Sequence, residues 1–176
     1  MGFKKINQWL PLFLGALAMY TAHSQEGFKI GAQAGLPLGE YNDRIGVVVG
    51  ADMGYSWAPG KVVDLGIKAG FIHGFAERFN VGTVRIKLPS IQFAPMAATL
   101  RIWPTRSFSF GGEVGHAFGL NEGNEGGFYY RPQIGFQTGP QSELNLSYTA
   151  IDHDNETWST VTLGYVYTFL SARHFR

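Results

Sequence analysis

The chain of 176 residues contains no cysteine, which excludes disulfide staples and a lipid anchor on an N-terminal cysteine. Only 15% of its residues are charged, against roughly 25% in an ordinary soluble domain. Its 14 Lys and Arg are offset by 13 Asp and Glu, so no basic surface is available for nucleic acid. It also lacks the ~20 consecutive apolar residues that a membrane-spanning helix requires. Past residue 24 no stretch repeats at a helical period. What the chain does have is 45% hydrophobic residues, 15% aromatics and 24 glycines, interleaved with polar neighbours throughout.

Residues 1–24 read as a secretory signal peptide. Lys4 and Lys5 form its positive region and Leu10–Met19 its apolar core. Ala22-His23-Ser24 offers small residues at the two positions a signal peptidase reads, which places cleavage before Gln25. The apolar core, interrupted by Pro11, is too short for a transmembrane anchor. Without Lys4 and Lys5 the 14 basic residues fall to 12 against 13 acidic ones, so the net charge changes from +1 to −1. Residues 25–176 are then expected to form a single domain.

That domain alternates with period two, the signature of half-buried strands. Eight segments are recognisable. Their apolar positions run Phe28, Ile30, Ala32, Ala34, Leu36; then Ile45, Val47, Val49, Ala51, Met53, Tyr55; then Val63, Leu65, Ile67, Ala69, Phe71. The fourth segment is less regular, with Val84, Ile86 and Leu88 followed by Ala94, Met96, Ala98, Leu100 and Ile102. Pro89 and Pro95 interrupt it, so a bulge or a frayed end is expected there. The remaining four are marked by Phe108, Phe110, Val114, Phe118; by Phe128, Tyr130, Ile134, Phe136; by Leu144, Leu146, Tyr148, Ala150; and by Val161, Leu163, Tyr165, Tyr167, Phe169.

The connections fall into two classes. Those after segments two, four and six are short and contain proline: Ala58-Pro59-Gly60, Trp103-Pro104-Thr105 and Gly139-Pro140-Gln141. The others (LGEYNDR, HGFAERFN, NEGNEGG, DHDNET) are longer or more acidic and hold Glu40, Asp43, Glu77, Glu122, Glu125, Asp152, Asp154 and Glu156. An up-and-down meander sends odd and even connections to opposite ends, and an even strand number returns both termini to one end. The expected fold is therefore all-β: a closed antiparallel up-and-down barrel of eight strands.

Which face points outward separates two kinds of barrel. A soluble lipocalin-like barrel turns its apolar face inward around a ligand, whereas a membrane barrel turns it toward lipid. Here the polar face is crowded with Gly31, Gly35, Gly46, Gly50, Gly54, Gly66, Gly70, Gly115, Gly135 and Gly164, which suits the narrow interior of eight strands. Its charges balance, with Lys29, Lys68, Arg101 and Arg131 against Asp52, Asp64, Glu113 and Glu143. Charge can be buried only when paired, so these eight are expected to form a network in the lumen. Aromatics group toward the two ends, with Tyr55, Trp57, Trp103, Phe108, Tyr167 and Phe169 near the short turns. Phe71, Phe118, Phe128, Tyr130 and Trp158 lie near the long loops. Such bands match the girdles of a transmembrane barrel. On this reading Leu65 faces the bilayer.

The last segment is the most specific. Thr162, Gly164, Tyr167 and Phe169 lie in TLGYVYTF, a pattern that resembles the C-terminal signal by which the outer-membrane assembly machinery recognises its substrates. Seven residues follow Phe169, where many barrels end. With the export signal and the eight segments, residues 25–176 resemble the small outer-membrane β-barrel family of Gram-negative bacteria, broadly OmpA/OmpX-like or PorT-like. The resemblance implies a monomer in the outer membrane, contacting lipid and lipopolysaccharide, with periplasmic termini and extracellular acidic loops. It carries over no catalytic residue, metal or cofactor, and a barrel of this size fills its own lumen instead of conducting.

Some outer-membrane barrels of this size modify lipid A, and a deacylase of that type would use a His-x-Ser pair near the membrane rim. His73, His116, His153 and His174 are not followed by Ser two positions on, and no Gly-x-Ser-x-Gly elbow is present. Asp152-His153-Asp154-Asn155-Glu156 lacks the Gly and the spacing of a calcium loop and reads as an acidic hairpin tip. His116 falls on the apolar register near a loop end. The expected role is structural or surface-interacting and not enzymatic. A soluble periplasmic binder and a lipid A-modifying enzyme stand as the alternatives.

Overall fold

A computed structural model describes residues 25–39, 45–76, 78–81, 84–87, 90–153 and 156–170. Residues 1–24, expected from the sequence to be an export signal, residues 171–176 and the acidic residues Glu40, Asp43, Glu77 and Asp154 lie outside the described residues. Among the described residues ten strands run in chain order: β1 (Gly27–Leu38), β2 (Ile45–Trp57), β3 (Val63–Ala76), β4 (Arg78–Val81), β5 (Val84–Lys87), β6 (Ile91–Ile102), β7 (Phe108–Gly119), β8 (Gly126–Gly139), β9 (Ser142–His153) and β10 (Glu156–Leu170). Eight of them, β1, β2, β3, β6, β7, β8, β9 and β10, close into an antiparallel barrel in which each pairs with its neighbour in that order. β10 returns to β1, from Gly27 opposite Leu170 to Leu38 opposite Ser159. Strands β4 and β5 pair only with each other.

The alternation read from the sequence is the alternation of the wall. Ile30, Met53, Ile67, Met96, Val114, Ile134, Leu146 and Leu163 are exposed on the outside, and Gln33, Asp64, Glu113, Arg131, Asn145, Thr149 and Thr162 are buried inside. This is the reverse of a ligand-binding soluble barrel. Short turns join the strands at one end, the tightest being Pro140-Gln141 between β8 and β9. At the Trp103–Ser107 turn, Thr105 Oγ1 accepts the Phe108 N–H at 3.0 Å. At the opposite end the β7–β8 loop is shaped by Gly123 and Gly126, with φ of 76° and 79°. Only glycine takes such angles at no steric cost.

The fourth segment departs from expectation. Val84 and Ile86 belong to the separate β4–β5 hairpin, and the barrel strand starts at Ile91. HGFAERFN is likewise not a loop, because β3 continues to Ala76 and β4 follows at Arg78. Pro95 produces no bulge. The β3–β6 register is the same on both sides of it, but no pairs form between Ala69–Met96 and Ile72–Phe93. A proline that lacks its N–H removes ladder bonds without shifting the strand. Pro132 leaves the same kind of gap between Tyr130–Ala150 and Gln133–Ser147. The register shifts occur instead at Ile45/Val47 and at Gln137/Gly139.

Glycine on the inner face is a packing requirement. A methyl group at Gly115 would overlap the Met96 carbonyl oxygen and stand 2.6 Å from Ala97 Cα, whereas one at Gly112 of the same strand would meet nothing closer than 3.4 Å. Gly115→Ala is expected to cost ~1–3 kcal/mol through backbone displacement, and Gly112→Ala to be nearly neutral. Guanidinium unfolding of the two variants in lipid vesicles makes the comparison; equal midpoints would refute it.

Candidate functional site

The interior is built in layers. At the turn end Asp64, 1% exposed, accepts hydrogen bonds from the Gln25 backbone N–H (3.0 Å), Trp103 Nε1–H (2.9 Å) and Lys29 Nζ (3.3 Å). Thr168 Oγ1 donates to the Gln25 side-chain oxygen at 3.0 Å, which ties the start of β1 to the end of β10. Nearby Arg101 of β6 pairs with Glu143 of β9.

The middle layer is a four-charge cluster. Lys68 Nζ lies 2.7 Å from Glu113 and 3.1 Å from Asp52, and Arg131 Nη1 lies 3.6 Å from Asp52 and 3.8 Å from Glu113. Tyr129 O–H and Gln133 Nε2–H also donate to Glu113, at 2.7 and 3.2 Å. Arg131 Nε–H donates to Ser147 Oγ (2.9 Å), which bonds Thr162 Oγ1 (2.8 Å), and Thr162 donates to Gln33 Oε1 (3.1 Å). The chain of bonds thus crosses from β8 through β9 and β10 to β1. Lys29, Asp52, Asp64, Lys68, Arg101, Glu113, Arg131 and Glu143 all face this interior, in three ion-paired groups. Between the groups remain cavities of about 40 and about 10 Å³, the larger comparable to the space of one or two waters.

The loop end is closed differently. Ile45, Val48, Ile72, Phe93, Ala117, Tyr129, Ile151 and Trp158 pack together there, with the Phe93 and Trp158 rings 5.1 Å apart. Trp158 and Trp103, expected in the outer girdles, are both 0% exposed and belong to the interior. Parity explains it, since Trp158 shares its face with Thr160 and Thr162, and Trp103, just past the end of β6, continues the face of Arg101. Ile45, expected on the outer face, joins the interior cluster because the register shift at Ile45/Val47 interrupts the alternation. The apolar stopper is the feature that the sequence reading missed; the parity of Val48, Ile72, Phe93 and Trp158 was its signal.

Outside, the apolar belt carries aromatics toward both rims. Trp57 and Phe169 are exposed near the turns, where Tyr167 and Phe169 meet at 4.9 Å and Phe28 lies 6.2 Å from Phe169. Phe71, Phe118 and Phe128 are exposed toward the loops. A largely apolar exterior with aromatics at both rims around a charge-paired interior is the arrangement of barrels that face lipid. The fold is that of a small transmembrane β-barrel.

No protein-family model matches the chain, and no curated protein matches it. Among solved structures the barrel is similar to the crystal structure of Ail, the attachment invasion locus protein of Yersinia pestis, at 16% identity and a TM-score of 0.54, covering 84% of this chain and 99% of that one. It is similar to the backbone structure of the Yersinia pestis outer membrane protein Ail in a phospholipid bilayer nanodisc, at 18% identity and a TM-score of 0.51, covering 83% and 100%. A de novo designed transmembrane β-barrel matches at 12% identity and a TM-score of 0.52, covering 84% and 98%. At these identities the likeness is one of fold.

The terminal motif lies on the closing strand of the barrel. Thr162 and Gly164 are on its inner face, Gly164 against the Asn145 side chain, and Tyr167 and Phe169 on its outer face near the turn-end rim. Tyr167 O–H bonds Gln141 of the β8–β9 turn. β10 ends at Leu170. On the outer wall near the loop end, His73 Nδ1 lies 3.0 Å from Gln92 Nε2, and its ring lies 4.3 Å from that of Phe75. His116 packs edge-on against Phe118 at 4.8 Å. Both imidazoles are thus engaged with amide or aromatic neighbours.

Proposed function

We propose that the chain is an integral outer-membrane β-barrel, OmpA/OmpX-like or PorT-like in kind, with a structural or surface-interaction role. Its termini and short turns face the periplasm, and its acidic connections face the cell exterior. It is inserted by the barrel assembly machinery through the Thr162–Phe169 motif, contacts lipid and lipopolysaccharide, and functions as a monomer without an enzymatic step or a conducting pore. The observation that carries this reading is the filled interior: three ion-paired groups, Trp103 and Gln25 at one end and the apolar cluster around Trp158 at the other. Among the described residues, the cavities between these groups are of about 40 and about 10 Å³, which supports an interior filled by side chains in place of a porin's water-filled channel.

The test is fractionation combined with conductance. The folded protein is expected to sediment with outer membranes and to change its gel mobility on boiling. Labels placed at Glu122 in the β7–β8 loop, or at Asp152 at the loop end of β9, should react in intact cells. In planar bilayers it should insert without stepwise ionic current; a discrete channel from the wild-type protein would overturn the closed-lumen reading. The non-enzymatic reading has its own check. The lipid A mass profile is expected to be identical with and without the gene, and altered acylation would make the chain a lipid-modifying enzyme.

A further inference from the structure

Strand β1 begins at Gly27, yet the residue two positions before it is already inside the barrel. The inner-face parity of Gln33, Gly31 and Lys29 continues back through Gly27 to Gln25, and Gln25 is 4% exposed. Its backbone N–H donates to Asp64 Oδ1 of β3 at 3.0 Å. Its side-chain oxygen accepts Thr168 Oγ1–H of β10 at 3.0 Å, and its Nε2–H reaches the Pro140 carbonyl of the β8–β9 turn at 3.5 Å. The other oxygen of Asp64 accepts Trp103 Nε1–H and Lys29 Nζ–H. One oxygen of a carboxylate that is 1% exposed is thus turned to the nitrogen of a residue that precedes the first strand. Chain ahead of a first strand is poorly ordered unless it is tied down, and Gln25 is tied to three separate elements.

That nitrogen is the one that the expected cleavage before Gln25 sets free. Hydrolysis of the Ser24–Gln25 bond adds one water, leaving a carboxylate on Ser24 and an ammonium on Gln25. A carboxylate bonds a charged donor about twice as strongly as a neutral one. We infer that the turn end of the barrel is a socket for the processed N-terminus: the Gln25 ammonium is held by Asp64 inside the lumen, so that removal of the export segment completes the closure of that end. Asp64 then meets two cations, as Asp52 and Glu113 each do in the middle layer. The side chain sets which residue fits, because Thr168 supplies a donor and Pro140 an acceptor. An amide answers both, whereas a carboxylate or an ammonium answers one. The inference extends the export reading of residues 1–24 and rests on it.

The socket also protects the residue chemically. A free N-terminal glutamine cyclises when its amine attacks its own side-chain carbonyl carbon, forming a lactam and releasing ammonia. With the amine protonated on Asp64 and the amide held by Thr168 and Pro140, that ring closure is blocked. The test compares chains that differ only at this nitrogen. Residues 25–176, which contain every described strand, are folded into phosphatidylcholine vesicles with Gln25 first, or with one glycine ahead of it. The added glycine keeps the N–H and takes the charge off it. The unfolding equilibrium constant in guanidinium is expected to be about tenfold smaller for the chain that starts at Gln25, as a charge-assisted bond replaces a neutral one. Asp64→Asn should erase the difference.

Equal constants for the two chains overturn the proposal, and so does a difference that survives Asp64→Asn. The amine itself gives a second measurement that needs no variant. In the inserted wild-type barrel it is expected to react with an acylating reagent several-fold more slowly than in the chain unfolded in guanidinium, and equal rates overturn the socket. Mass spectrometry of the protein recovered from outer membranes should find Gln25 first, with its amine and side-chain amide intact. Another first residue, or a Gln25 that has lost ammonia, overturns the inference. Heat-modifiable gel mobility reports insertion independently. A barrel that fails to insert counts against the membrane reading, and an inserted barrel whose two chains are equally stable counts against the socket alone.

Discussion

Val114→Arg is expected to destabilise the barrel in lipid by ~2–4 kcal/mol, the cost of a cation on the lipid face near the midplane. Val114 is the seventh of the twelve residues of β7, is 53% exposed on the outer wall, and lies between Ala98 of β6 and Tyr130 of β8. No carboxylate is within its rows. Leu65, the residue singled out by alternation alone, is 46% exposed but is only the third residue of β3, close to the turn-end rim. There an arginine reaches the headgroups, and Leu65→Arg is expected to cost no more than ~1 kcal/mol. The two variants thus read depth as well as facing. Reversible guanidinium unfolding in phosphatidylcholine vesicles measures both. A harmless Val114→Arg would mean that this wall does not face lipid.

Glu113→Gln is expected to cost ~3–5 kcal/mol, because it removes one member of a buried charge group and leaves its partners uncompensated. Glu113 is 2% exposed and is the one carboxylate bonded by Lys68, Tyr129 and Gln133 together. Without its charge, Lys68 and Arg131 share Asp52 alone. The double variant Glu113→Gln/Lys68→Met returns the interior to equal numbers of cations and carboxylates and should recover most of the loss. The four unfolding free energies form a double-mutant cycle, which isolates the pair from the rest of the network. Additive losses would mean that Lys68 and Glu113 are not coupled, contrary to their 2.7 Å separation. Both variants should leave the outer-wall variants unaffected, since the two faces share no partners.

Some of this architecture was legible from the chain itself. Period-two alternation gave the eight barrel strands, and the choice of small residues opposite large ones gave the inner face. The balanced set from Lys29 to Glu143 could be named because charge on a narrow inner face must be paired. Which cation meets which carboxylate was not legible. Lys68 meets Glu113 across 45 positions and Arg101 meets Glu143 across 42, and barrel closure, stagger and side-chain length decide such partners.

The sequence by itself determined the eight strands of the barrel, their two faces and the short proline-containing turns, because these follow from alternation and turn chemistry within a few residues. Only the tertiary structure decided the rest. It turned Trp103 and Trp158 inward, where parity required them and girdle composition had suggested otherwise. It carried Ile45 into the stopper through a register shift that no local pattern announces. It also detached Arg78–Lys87 as a hairpin of its own, because those residues find their hydrogen-bond partners in each other and not in the wall. Local alternation says that a residue belongs to a strand and to one of two faces. What lies against that face depends on pairing with residues distant in the chain, and those pairings exist only once the barrel has closed.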